Sequence, residues 1–429
     1  METTYYALNP WWEERDYNTG INRPEYLKRL DIFLGRKQIE VLIGSRRVGK
    51  TTLLKQFIRS LVDSGVFPGD IFYLALDHPS FSGITISEHL RNFRKIFMRE
   101  RGKKVFFFLD EVHESTNWEL ELKSIYDMEN IKIFCTGSTS ALLTQQGNRL
   151  TGRQIITTVY SLSFKEFMLF RGDKPSMSED YRYEKRVEEY LQTGGYPENV
   201  LNPSIEYMSN LLEDILARDL IRLYPIKKGF VLKDLLKLIA ASSGSRTSFN
   251  KLGKTLSISV DTIKEYIHHL ESAFLVWPMS KWTAYHTERV YAQKKIYLWD
   301  TGLKTLLTGP ADEGAKAENA VFMELKRNQI DCGYFAESQK EVDFVTGDVK
   351  KPMPVEVKYL SSFDWKDKRF SGFKLFLRRF PQTRKGLLIT RDVDTVIKSN
   401  HTEITAVPLW RFLLSSDNYF DNACGTPEH

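Results

Sequence analysis

Residues 44–51, Gly44-Ser45-Arg46-Arg47-Val48-Gly49-Lys50-Thr51, limit what this chain can fold into more than any other segment. They fit the pattern G-x-x-x-x-G-K-[ST], a loop whose backbone amides cradle nucleotide phosphates. The context agrees on both sides. Ile39 to Ile43 is a β-branched, alternating run that reads as a buried strand, and Thr51 to Ile58 carries apolar residues at helical spacing. Glycines let the backbone curl its N–H groups toward an anion, and the positive end of the following helix adds to that field. Gly44, Ser45, Arg46, Arg47, Val48, Gly49 and Thr52 form the expected cradle. Lys50 is expected to reach the β- and γ-phosphates, and Thr51 to place its hydroxyl on Mg²⁺. The chain is expected to bind ATP with Mg²⁺.

Strand and helix patterns alternate downstream. Ile71 to Leu76 reads as a strand and 87–100 as an amphipathic helix. Val105 to Leu109 is wholly apolar, as a central parallel strand covered on both faces should be, and it ends in Asp110-Glu111. Ligands of α/β sheets sit at such strand ends. Asp110 is therefore expected to hold Mg²⁺ through water and Glu111 to orient or deprotonate the attacking water. A further strand, Ile131 to Cys135, leads into Thr136-Gly137-Ser138. It is expected between the loop strand and the acidic strand, where Ser138 or Thr136 would sense the γ-phosphate; a polar turn capping a helix from Ser140 is the alternative. Arg153 precedes the strand Gln154 to Val159. It either reaches nucleotide in its own or a neighbouring subunit, or is a surface arginine.

The middle of the chain opens with a Gly/Pro/Ser/acidic hinge, Gly172 to Asp180, and residues 181–225 read as helices. Residues 230–282 have the cadence of a winged helix-turn-helix: helices at Val231–Ala241, Phe249–Leu256 and Val260–Ala273, with a wing from Phe274. Arg246, Lys251 and Lys254 could touch phosphate, but the third helix carries Asp261, Glu265 and Glu271. DNA binding and protein contact both stand.

Toward the C-terminus, Glu318 shares a helical face with Val321, Phe322 and Leu325, an expensive place for a carboxylate without a partner. Asp343 lies in the strand Val342–Val345, and Glu356 and Lys358 share a face of the strand Val355–Lys358. This D…E-x-K arrangement suits a phosphodiester-cleaving site. Asp343 and Glu356 would ligate Mg²⁺, Lys358 would position or deprotonate water, and Glu318 would join the outer shell. The segment 364–379 reads as a helix bearing Lys366, Lys368, Arg369, Lys374, Arg378 and Arg379, either for a phosphate backbone or as a solvated face.

GSRRVGKTTLL, FFFLDEVHE, CTGSTSALL, LTGR, SLSFKEFML and GGYP (Gly194 to Pro197), in this order, resemble the prokaryotic AAA+-type ATPases abundant in archaea. The resemblance runs from about residue 20 to the end. It implies an α/β multidomain protein: a P-loop ASCE/AAA+-like parallel-sheet ATPase (1–165), a helical lid region (166–228), a winged helix (229–285) and a restriction-endonuclease-like α/β domain of PD-(D/E)XK type (286–429). It implies no settled biological role.

A chain of 429 residues is too long for one core and should hold two to four domains. Its formal charge of +6 suits, without requiring, a nucleic-acid partner. Three cysteines without metal spacing suggest neither a disulfide framework nor a zinc site. No apolar run approaches membrane-spanning length, and the start lacks the pattern of a secretory signal. The expectation is a cytoplasmic Mg²⁺-dependent ATPase, without a membrane partner, acting on DNA, a candidate homo-oligomer with a candidate nuclease site. The rival is a nucleotide-controlled, STAND-like switch whose nuclease-like domain is inactive and binds a partner.

Overall fold

The computed structural model describes residues 1–137, 150–174, 176, 179–224, 226, 229–399 and 401–420. It divides into two compact units, Met1–Tyr160 and Ser161–His429. The division precedes the expected 165/166 boundary because Leu162 is tied into the second unit. Its N–H donates to the Gly195 carbonyl (2.7 Å), and its carbonyl accepts from the Tyr190 hydroxyl (3.0 Å).

The first unit is built on β1 (Ile39–Ile43), β2 (Ile71–Ala75), β3 (Val105–Asp110), β4 (Ile131–Gly137) and β5 (Gln154–Thr158). These form one parallel sheet in the order β2-β3-β4-β1-β5. A parallel sheet buries both faces, which is why β1 and β4 are buried throughout, the charged Glu40 and Lys132 included. Alternation sends neighbouring rings to opposite faces: Phe107 stacks on Phe72 at 5.3 Å, and Phe108 on Phe134 at 5.0 Å. The order places β4 between β1 and β3, as expected, so the tips of all three converge after Ile43, Asp110 and Gly137.

The helix expected at 87–100 spans Ile86–Ile96. Thr85 and Glu88 form a capping box at its start. The aromatic N-terminus covers the edge strand β2. Asn9 exchanges hydrogen bonds with the Tyr73 backbone (2.7 and 3.0 Å), and Trp12 Nε1 donates to the Ile71 carbonyl (2.8 Å). Trp12 also stacks on Phe72 at 5.8 Å. Pairing an edge strand this way removes a template for unwanted strand addition.

In the second unit, helices Gly229–Ala241, Phe249–Leu256 and Val260–Ser272 adjoin a three-stranded antiparallel sheet. Its order is β6-β8-β7, with β6 Arg246–Thr247, β7 Val276–Met279 and β8 Lys294–Leu298. The expected boundary at 285/286 would cut this sheet, since β8 hydrogen-bonds to both partners. A six-stranded sheet follows in the order β13-β14-β12-β11-β10-β9. Its strands are β9 Cys332–Glu337, β10 Lys340–Thr346, β11 Met353–Val357, β12 Lys385–Thr390, β13 Thr395–Ser399 and β14 Thr402–Pro408. The basic segment forms a 3₁₀ turn at Lys368–Phe370 and an α-helix only over Ser371–Arg379. Asp364 and Asp367 cap turns before it, accepting from Lys366 N–H and Arg369 N–H at 2.8 Å each.

The GGYP segment is a packing device. Gly194 adopts φ +75°, and a Cβ there would collide with the Asp300 carboxylate, whose oxygens accept from the Gly195 N–H (2.8 Å) and the Gly302 N–H (2.9 Å). Among the described residues no helix is long and apolar enough to cross a membrane.

Candidate nucleotide site and C-terminal acid cluster

The phosphate loop leaves β1 and runs into the helix Lys50–Asp63. Gly44 lies so close to the Val159 carbonyl that any Cβ would strike it. Arg47 and Gly49 both take positive φ, +58° and +98°. Gly49 is the helix N-cap and supplies no side-chain cap, so the helix's first N–H groups keep their anion-binding character. Lys50 is buried, and its ammonium donates to the Gly44 and Ser45 carbonyls, both at 2.9 Å. Ser45 and Val48 are buried, whereas Arg47 and Thr52 are exposed and Arg46 is half-buried. One clamp was not legible in the sequence. Arg23, itself buried, donates to the Val48 carbonyl (3.0 Å) and the Tyr160 carbonyl (3.1 Å), pinning the loop to the end of β5.

Asp110 sits at the tip of β3 beside the loop. Three hydroxyls donate to it: Thr51 (2.7 Å) and Tyr73 (2.9 Å) to Oδ2, and Thr136 (2.5 Å) to Oδ1. Tyr73 was missed because a tyrosine in a buried strand reads as core. Burial and then the Asp110 charge raise its pKa well above the usual range, so it remains a donor. Glu111 adopts the left-handed conformation (φ +51°), a costly state for this residue type. Its N–H donates to Thr136 Oγ1 (2.9 Å), and His113 Nδ1 lies 3.4 Å from its Oε2. Thr136 thus links the carboxylate of β3 to the backbone of the expected base. Ser138 and the helix expected from Ser140 lie outside the described residues.

Arg153 is at the wrong end of the sheet for its own nucleotide. Its carbonyl accepts from Ile39 N–H (2.7 Å) at the start of β1, about 13 Å of strand before the loop. Its guanidinium grips Asp127 at 3.0 and 3.2 Å. The expectation of contact within one chain is corrected accordingly.

The C-terminal residues do meet, but around a group that sequence reading overlooked. Glu318 on the helix Glu313–Arg327, Glu341 and Asp343 on β10, and Glu356 on β11 surround Lys295 and Lys358. The Lys295 ammonium, wholly buried, lies 3.2 Å from Glu318 Oε1, Glu341 Oε1 and Asp343 Oδ1. Lys358 lies 2.7 Å from Glu356 and 3.7 Å from Asp343. Asp343 Oδ2 also accepts from Val357 N–H (2.9 Å), and the Tyr297 hydroxyl donates to Glu318 Oε1 (2.7 Å). Burial alone would pull Lys295 down; Glu318, Asp343 and Glu341 outweigh it and hold its pKa above normal. Glu356 is raised by burial and by Asp343 against the opposing pull of Lys358. The expected Mg²⁺ ligands Glu318, Asp343 and Glu356 do not fit a metal in this arrangement. Among the described residues no group of three or more His, Cys, Asp or Glu is disposed to hold one. The missed signal was the second lysine of KKIYL, which a half-buried strand leaves no reason to point inward unless acids await it.

Residues 36–168 match the model of an AAA domain. Residues 184–313 and 313–412 match two domains of unknown function, DUF8612 and DUF4143. An uncharacterized protein of Haemophilus influenzae is 27% identical over 352 residues, covering 79% of this chain and 87% of its own. The uncharacterized protein MJ1544 of Methanocaldococcus jannaschii is 26% identical over 410 residues, 90% of each chain. The solved structure of AMPPCP-bound DnaA from Aquifex aeolicus matches 60% of this chain and 90% of its own at 16% identity, with a TM-score of 0.28, too loose to carry an argument. The AAA-domain match, laid over a parallel sheet with the phosphate loop after β1 and Asp110 at the tip of β3, gives the N-terminal unit a P-loop ATPase fold.

Proposed function

We propose that this chain is an Mg²⁺-dependent ATP hydrolase that works on or near DNA. The observation that carries it is the hydrogen bond from the Thr51 hydroxyl of the phosphate loop to Asp110 Oδ2 of β3, 2.7 Å, which brings together two hard oxygen ligands of the kind Mg²⁺ takes. These two would hold the ion with the nucleotide. Bound there, Mg²⁺ would neutralise phosphate charge. Lys50 would exchange its loop carbonyls for phosphate oxygens and offset their charge. Glu111, fixed by Thr136 at its N–H, would orient the hydrolytic water and accept its proton. Arg153 would act, if at all, on a neighbouring subunit's nucleotide.

Support for DNA is electrostatic. Lys366, Lys368, Arg369, Arg378 and Arg379 are exposed together around the helix Ser371–Arg379. The three helices and the β6-β8-β7 sheet support the winged-helix expectation. The exposed face of the helix Val260–Ser272, bearing Asp261 and Glu265, favours a protein partner there. One observation favours a second reading, a nucleotide-controlled switch with an inert C-terminal domain: Lys295 stands among the acids that cleavage would need.

The test compares wild type, Lys50→Ala and Glu111→Gln for fluorescent-nucleotide binding and phosphate release, with and without linear DNA. Glu111→Gln should bind ATP yet turn over roughly 10²–10⁴-fold more slowly. Lys50→Ala should bind weakly. Wild type that takes up no ATP with Mg²⁺ would end the proposal, and turnover and affinity indifferent to DNA would remove its DNA part.

A further inference from the structure

The acid cluster of the second unit is complete without a metal. Lys295 has three N–H donors and three carboxylates at 3.2 Å: Glu318, Glu341 and Asp343. It donates hydrogen bonds to Glu318 and Asp343 and forms an ion pair with Glu341, one acid on a helix and two on β10. A divalent cation would need the same oxygens at about 2.0–2.6 Å and would have to share their centre with an ammonium. Like charges so close in a buried site repel strongly. The two cations therefore compete for one position.

Lys295 is also hard to displace. Its backbone sits in β8, the central strand of its sheet, in register with Arg246 on one side and Met279 on the other. Its side chain is wholly buried. Removing it would leave Glu318 and Asp343 buried with too little positive charge, so the fold keeps the lysine for its own stability. Lys358 plays the corresponding part for Glu356, at 2.7 Å. The cluster spans the two family matches: Lys295 belongs to the 184–313 segment, and all four acids to the 313–412 segment.

We propose that the Lys295 ammonium is the resident cation of this cluster, that it excludes divalent metal ions from Glu318, Glu341 and Asp343, and that the C-terminal domain consequently does not cut nucleic acid by metal-dependent hydrolysis. The inference rests on the second unit alone, so failure of the ATPase proposal would leave it standing.

The experiment uses full-length protein in an Asp110→Asn background, free of nucleotide, so that only the C-terminal acids differ. Wild-type Lys295, Lys295→Met and Lys295→Met/Asp343→Asn are titrated with Mn²⁺ by calorimetry and with Tb³⁺ by sensitised luminescence. Tyr297, whose hydroxyl touches Glu318, serves as the antenna. Lys295→Met should gain a site binding at least ten-fold tighter than anything in the Lys295 protein, and Asp343→Asn should abolish the gain. If Lys295→Met does not fold, the Lys295 protein is compared with Asp343→Asn alone, where equal Mn²⁺ binding supports the proposal. Mn²⁺ bound by the Lys295 protein and lost on Asp343→Asn overturns it. So does Mn²⁺-dependent DNA cleavage that Asp343→Asn removes.

Discussion

Tyr73→Phe isolates one hydrogen bond of the nucleotide site. The ring stays, so no cavity opens; only the hydroxyl 2.9 Å from Asp110 Oδ2 goes. A hydrogen bond to a charged group contributes about 1.5–3 kcal/mol. Asp110 keeps Thr51 and Thr136, so its charge is not stranded and the upper end of that range does not apply. We expect a loss of about 1.5–2 kcal/mol in the first unit. Native-state hydrogen exchange at the β2 and β3 amides reads that unit by itself, whereas a global melt would mix both. The same substitution is made in an Asp110→Ala background. If the bond is the cause, Tyr73→Phe should cost almost nothing there, giving a coupling of at least about 1 kcal/mol. An equal loss in both backgrounds would show that the hydroxyl acts on something other than Asp110, and the reasoning would fail.

Gly194→Ala places a Cβ against Asp300 in a left-handed backbone and should cost at least about 2 kcal/mol, read by native-state hydrogen exchange at amides of the second unit. A loss under about 0.5 kcal/mol would contradict the role given to GGYP. His89 is fully buried, with its Nδ1 2.6 Å from the Tyr5 hydroxyl, and burial pulls its pKa down to about 4. The folded value lies below the ordinary 6.5, so its contribution is complete above pH 6.5 and drains as pH falls toward 4, by roughly 3 kcal/mol at most. Denaturant titrations from pH 4 to 7 should show a shallower pH slope for His89→Phe; parallel slopes would refute the assignment. Arg153→Ala should leave ATP affinity unchanged at protein concentrations where the chain is a monomer, measured by fluorescent-nucleotide titration, because Arg153 faces Asp127 at the far end of the sheet. A clear loss of affinity under those conditions would restore a contact within one chain.

The sequence alone was enough for the local parts. Loop chemistry needs glycines, a lysine and a threonine at fixed spacing after a β-branched strand, and a central strand buried on both faces favours an apolar run such as Val105–Leu109, so both β1 with its loop and β3 with its Asp110-Glu111 end were legible residue by residue. The E-x-K strand and the helical glutamate were legible for the same reason: alternation and helical periodicity are properties of neighbours in the chain. Three-dimensional assembly decided the rest. Tyr73 joined Asp110, Arg23 clamped the loop, Arg153 went to the opposite end of the sheet, and Lys295 entered the acid cluster. Each of these depends on groups tens to over a hundred residues apart, brought together by strand order and register, and no local period encodes which distant charge a buried side chain will meet.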